Sequence, residues 1–328
     1  MKRCIKIQLT TVLAGVLLIG GILVWKYLRW RDSDIPPLTI PATERINYNN
    51  YLLENPLDHK GDYTVWERFS LLGEQVLLSS SSGEVEALSG VTTPCQIWEN
   101  HIFFLRKDAL LQKPLKGGNE RNIADSVSSF IVAEGSVYYL CRGELFSRDL
   151  TTGSVQLLAD KIYLFYFHNN QVFVMDETGV VSCLEPDDHW RTVCTIRFGH
   201  YPFLMMPQRE YVIDSLGYGL RYTNTSDGST TIVPLINNEY VNHRISFISD
   251  EDRTFVSFHA TETEGSMVSE VDHPSNGVWV IEPETKIPKK ICGETFDGLY
   301  LFGEEGLFGT RNDVLYQINP YTGQVTRM

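Results

Sequence analysis

From Tyr63 onward the chain alternates short apolar runs with polar punctuation. β-branched and aromatic residues come in groups of four to six, separated by Gly, Asn, Asp and Ser. That is the pattern of short strands joined by tight turns. No stretch of ten or more residues holds a 3.6-residue period there, so the pattern predicts an all-β domain.

The runs also recur. Phe130–Gly135, Ser136–Leu140, Glu144–Asp149 and Thr152–Leu158 read as four strands with three turns between them. The next residues repeat the cycle as Leu164–His168, Gln171–Met175, Val180–Leu184 and Arg191–Ile196. A marker residue in the second strand of each cycle gives Leu77, Phe103, Tyr138, Phe173, Val212, Phe255 and Leu307, with gaps of 26, 35, 35, 39, 43 and 52. Four-stranded units of about 40 residues predict the blades of a β-propeller. Burial is the physical reason: a lone sheet cannot cover both apolar faces, but a ring of sheets can. The 266 residues of 63–328 give 38 per blade for seven blades and 44 for six; seven is favoured and six stays open. The first gap is short, so the first blade is expected to be incomplete. A β-sandwich is the alternative, but it lacks this cycle.

Ahead of the repeat the pattern is different. Ile7–Trp25 is 19 residues without a charge. As a helix it would be about 28 Å long, enough for a bilayer core. Lys2, Arg3 and Lys6 precede it, and Trp25, Tyr27 and Trp30 follow it, where an interfacial aromatic belt would lie. Bulky residues follow in place of a small-residue cleavage site, so an uncleaved signal anchor is expected. The expected organisation is a cytoplasmic head at 1–6, a transmembrane segment at 7–25, a Pro-containing stalk at 26–62 and a propeller at 63–328. The protein would then sit in the cell membrane as a single pass, with its bulk outside.

Charge narrows the partners. The chain carries a formal net charge of −13, and residues 33–328 hold 22 basic against 40 acidic residues, a net of −18. Nucleic acid is excluded, since its binding rests on Lys and Arg at phosphates. An anionic lipid surface would repel the domain.

Six cysteines leave an odd number outside once Cys4 is assigned to the head. Cys183 and Cys194 flank the turn at Glu185–Trp190, and a symmetric hairpin would set them opposite each other. Two free thiols are the favoured reading.

The phrases at 136–158 (SVYYLCRGELFSRDLTTGSVQLL) and 314–325 (VLYQINPYTGQV) resemble repeats of a bacterial membrane-anchored propeller family of unknown function. They are similar to YWTD propellers of lipoprotein receptors and to TolB-like and quinoprotein-type repeats. Tyr138-Tyr139 and Leu145-Phe146 carry the likeness, which spans about 63–328. The YWTD tetrapeptide is absent, and so are most of the tryptophans of quinoprotein propellers. The resemblance therefore implies architecture and an anchor, with no cofactor and no receptor-type ligand.

Local catalytic motifs are missing. There is no G-x-S-x-G, no phosphate-binding glycine loop, no H-E-x-x-H and no paired C-x-x-C. Asp187-Asp188 and Asp250-Glu251-Asp252 do not follow the twelve-residue calcium loop and read as solvated turns. The longest irregular stretch is 259–277, whose His259, Glu262, Asp272 and His273 match no known metal spacing and read as a flexible acidic loop. The leading expectation is a non-enzymatic binding or scaffold module for a protein, peptide or glycan. A glycosidase- or lyase-type propeller enzyme is the alternative, since its site would be assembled across blades without a local motif. In a propeller, the turns between strands two and three share a face with the connections between blades. That face would carry Arg106, Arg142, Tyr218, His259 and His273 as ligand contacts, and the other face Thr152, Asp187 and Asp188.

Overall fold

The computed structural model describes residues 20–24, 57–70, 73–168, 170–196, 205–208, 210–216, 218–236, 242–250, 252–264, 267–302, 306–312 and 314–328. The expected head, nearly all of the expected transmembrane segment, and most of the stalk lie outside the described residues. Of 7–25 only 20–24 are described, as a helical turn with Ile22, Leu23 and Val24 exposed. No described helix is long and apolar enough to cross a membrane.

The rest is a ring of seven antiparallel sheets, and the seven-blade reading holds. The blades span 57–88, 91–124, 127–159, 162–195, 205–234, 242–292 and 298–327. Each is built from strands consecutive in the chain, in simple meander order apart from one added strand in blade 6. The first strands of successive blades lie against one another, so they line the axis.

Period-two alternation explains how one strand serves two neighbours. In the second strand of blade 2, Ile102 and Phe104 pack toward blade 1, while Phe103 and Leu105 pack toward blade 3. Blade 4 repeats this, with Val172 and Val174 on blade 3 and Phe173 and Met175 toward blade 5. Both faces are therefore buried, and the strands read as continuous apolar runs. Each Phe so covered contributes about 1.5–3 kcal/mol. Tyr138 is half-buried, its ring 5.3 Å from that of Phe167.

Polar groups tie neighbouring blades near the axis. The Ile97 N–H donates to buried Asp58 at 2.6 Å, linking blade 2 to blade 1. Buried Gln96 bonds both backbone groups of Val132 in blade 3, at 2.6 and 2.7 Å. At ring closure, no strand among the described residues is exchanged between the first and last blades. The seam packs Leu57, Trp66 and Leu77 of blade 1 against Tyr300, Phe302, Phe308 and Leu315 of blade 7, with Met328 alongside.

The turns show why the repeat was readable. Asp149 Oδ1 accepts the N–H groups of Thr151 and Thr152, and Gly153 closes the turn at φ 74°. Asn319 and Gly323 build the same turn in blade 7. A side chain at Gly323 would also meet the Ile291 carbonyl of blade 6, so this glycine serves both turn and interface.

Three sequence expectations need correcting. The ring begins at Leu57, ahead of residue 63, because Leu57–Lys60 is the first strand of a complete blade 1. Leu-Asp-His-Lys is too polar to read as a strand, and Leu77 accordingly falls in the third strand of its blade. Cys183 and Cys194 are not opposed: Cys183 faces Arg191 and Cys194 faces Val181, across a bulge that shifts the register, and both thiols are free. The 259–277 stretch is not a loop. The second strand of blade 6 runs on to Glu264 and folds back as an added strand, Met267–Glu270.

Phe173 is 4% exposed between blades 4 and 5. Phe173→Ala is expected to lose about 3–5 kcal/mol, measured by urea unfolding. A loss under about 1 kcal/mol would show that the face is not core.

Candidate functional site

Backbone bonds define two faces of the ring. On one, the 2–3 turns of blades 2 to 5 accept a bond from the chain passing to the next blade: Val127 N to Asp108 O at 2.7 Å, Ile162 N to Gly143 O at 2.8 Å, Ile196 N to Gly179 O at 2.8 Å and Leu235 N to Tyr218 O at 2.9 Å. On the other, the 3–4 turn donates to the 1–2 turn, as in Ser81 N to Asp62 O at 2.7 Å and Leu150 N to Gly135 O at 2.9 Å. Arg106, Arg142 and Tyr218 border the first face, and Thr152, Asp187 and Asp188 the second.

The five nominated residues are spread over blades 2, 3, 5 and 6 and are engaged locally. Arg106 makes a two-pronged bond to Glu120, at 2.5 and 2.9 Å, and its Nε donates to the Ser89 carbonyl at 3.0 Å. Those bonds hold the Glu120 carboxyl below its usual range. Arg142 starts a two-residue turn with Gly143, at φ 53° and 81°, the twist that suits a hairpin; its Nη2 donates to Ser126 Oγ at 3.2 Å. His259 is buried at 6% exposure. His273 Nδ1 accepts the Ser275 N–H at 3.1 Å.

The hairpin of blade 6 gives this face its relief. Asn242 opens the first strand opposite Thr261, so the second strand continues past the rim to Glu264. Asn276 clamps the base, accepting from Ala260 N at 2.8 Å and donating to Val271 O at 2.6 Å. Among the described residues no group of three or more His, Cys, Asp or Glu is placed to hold a metal ion.

Sequence reasoning missed the buried pair beneath Tyr218. Asp214 is fully buried, and Arg221 clasps it with Nε–Oδ1 at 2.9 Å and Nη2–Oδ2 at 2.7 Å. The two are directly opposed across the strands that flank the Tyr218 turn. The available signal was an Asp inside the apolar run Tyr211–Ser215 with an Arg at the mirror position. Burial pushes the Asp214 carboxyl up, and the bonds from Arg221 pull it back. Burial also pushes the thiols of Cys183 and Cys194 up to about 11, so neither is a ready nucleophile at neutral pH.

Among the described residues, the opposite face carries a carboxylate in the 1–2 turns of blades 1, 2, 3, 5 and 6: Asp62, Glu99, Glu134, Glu210 and Asp250. This too was readable only after the turns had been aligned blade by blade.

No protein-family model and no curated protein matches the chain. Solved structures do. Hsv2 of Kluyveromyces lactis, with its loop 6CD replaced by a Gly-Ser linker, is 10% identical, with a TM-score of 0.53 over 84% of this chain and 98% of that one. Hsv2 of Kluyveromyces marxianus is 9% identical, with a TM-score of 0.51 over 83% and 96%. At such identities the shared property is the fold, a seven-bladed β-propeller.

Arg221→Met is expected to cost about 3–5 kcal/mol at neutral pH, because it strands a buried carboxylate. A carboxyl raised by burial holds its proton more tightly in the folded state than in the unfolded one. Its ionisation therefore lowers stability as pH rises from the unfolded value, near 3.9, through the folded one. Without Arg221 that cost grows, so the gap to wild type should narrow as pH falls. Unfolding free energies at several pH values check this; a pH-independent gap refutes it.

Proposed function

We propose that this chain is a non-enzymatic binding propeller, tethered to the cell membrane through residues 7–25, with its head in the cytoplasm and its ring outside. Support for the tether is the 19-residue uncharged run with basic residues before it and aromatics after it. Support for a binding role is the hairpin of blade 6, the one blade among the described residues that departs from four strands. An addition to a repeat maps to one face, often the binding face. The ligand face in this reading is the one bordered by Arg106, Arg142 and Tyr218, with His259 and His273 in and beside the hairpin base. The partner is a protein or peptide. Arg and Tyr are the side chains favoured at binding hot spots, and the acidic domain favours a neutral or basic partner.

External protease on intact spheroplasts should degrade the ring; protection that ends only on permeabilisation would reverse the orientation. For binding, full-length chain in detergent serves as bait at low salt. Removing residues 262–274 should abolish capture, and changing Asp187 and Asp188 to Ala should leave it intact. The opposite result places the ligand on the other face.

A further inference from the structure

Each blade ends in an outer strand with one edge left unpaired, and an open edge invites another strand. Among the described residues, six of the seven outer strands carry a charge or a proline that blunts the edge, with Glu86, Arg121, Arg191, Pro234, Lys289 and Arg327 lying in them. The outer strand of blade 3, Val155–Ala159, has neither. Val155 and Leu157 are each 53% exposed on it.

The alternation of backbone bonds shows what this edge offers. Asp149 N donates to Ser154 O at 3.0 Å, so those two residues form a bonded pair. The pairs that follow set Arg148 against Val155, Ser147 against Gln156 and Phe146 against Leu157. Bonded and non-bonded pairs alternate in an antiparallel ladder. Gln156 therefore turns its backbone groups toward Ser147, while those of Val155 and Leu157 point away from the sheet. Beyond Leu157 the edge closes: a bulge shifts the register, and the Leu158 carbonyl accepts Trp190 Nε1 at 3.1 Å.

A strand that fits this edge must be uncharged, present outward backbone groups on alternate residues and show apolar side chains on one face. The edge itself meets that description. A twofold axis through Gln156 sets Val155 against Leu157 of a second copy, and Leu157 against the copy's Val155. Both pairs are then bonded pairs, so every outward group of the two residues is used. The apolar side chains of both copies meet on one face, and no like charges are opposed. We propose that the outer strand of blade 3 pairs antiparallel with the same strand of a second copy, joining two sheets into one about Gln156. The proposal rests on the ring alone and is independent of the tether.

The contact is small, so a weak, reversible dimer is expected. The test uses the full chain in detergent at about 0.15 M salt, which screens repulsion between two acidic chains beyond about 8 Å. Light scattering should show the polypeptide mass rising from monomer to dimer with concentration. Leu157→Lys places a charge in each apolar pair, and it should stay monomeric with an unchanged melting temperature. For the register, Cys4, Cys141, Cys194 and Cys292 are replaced by Ser, and a single cysteine is introduced at the edge. Gln156→Cys places the two thiols in a non-bonded pair with Cα atoms about 4.5 Å apart, within disulfide reach. Val155→Cys places them roughly 9 Å apart, beyond it. Oxidation with diamide should therefore cross-link position 156 about fivefold more than position 155. A chain that is monomeric at every concentration and does not cross-link at 156 overturns the proposal and leaves the edge to a strand of another protein. Equal cross-linking at both positions overturns the twofold register, and a dimer that survives Leu157→Lys overturns the edge as its contact.

Discussion

The structure depends on closing a circle. Each sheet has two apolar faces, and burial of either requires a neighbour on that side. The condition passes from blade to blade until the seventh must find the first. Here that last contact is made by side chains, with Leu57, Trp66 and Leu77 set against Tyr300, Phe302, Phe308 and Leu315. The hydrophobic effect is non-directional, so apolar packing fixes proximity. Side chains such as Asp58 and Gln96, which bond the backbone of the next blade, add direction.

How much of this was legible follows from the same physics. The blade cycle was readable in blades 3 and 4, because strands buried on two faces read as unbroken apolar runs and their turns need Gly or Asn at fixed offsets. Leu57–Lys60 was not readable, since its Asp is satisfied by a backbone N–H in another blade, a bond that local sequence cannot reveal. The hairpin was mistaken for a loop because 262–270 is polar and pairs beyond the core. The thiols are not opposed because the turn sets Leu184 against Trp190 and so Cys183 against Arg191, a register that local sequence does not display.

The site was legible only in outline. Topology alone places Arg106, Arg142 and Tyr218 on one face. Their state was hidden: Arg106 is spent on Glu120, His259 is covered, and the turn of Tyr218 rests on a buried ion pair. Such a pair is a weak source of net stability but a strict one of geometry, since neither partner tolerates the loss of the other. The rim of this face is therefore braced from below.

That no strand among the described residues is shared across the seam also bears on how such a chain could arise. Where a ring is fastened by a borrowed strand, the two ends of the gene jointly encode one sheet, and adding or removing a unit at either end breaks it. Here every sheet is encoded by one uninterrupted stretch. Whole blades can then be duplicated, lost or exchanged as cassettes, each arriving with its own complete hydrogen-bond ladder. Only the pair of surfaces that a newcomer touches must be refitted.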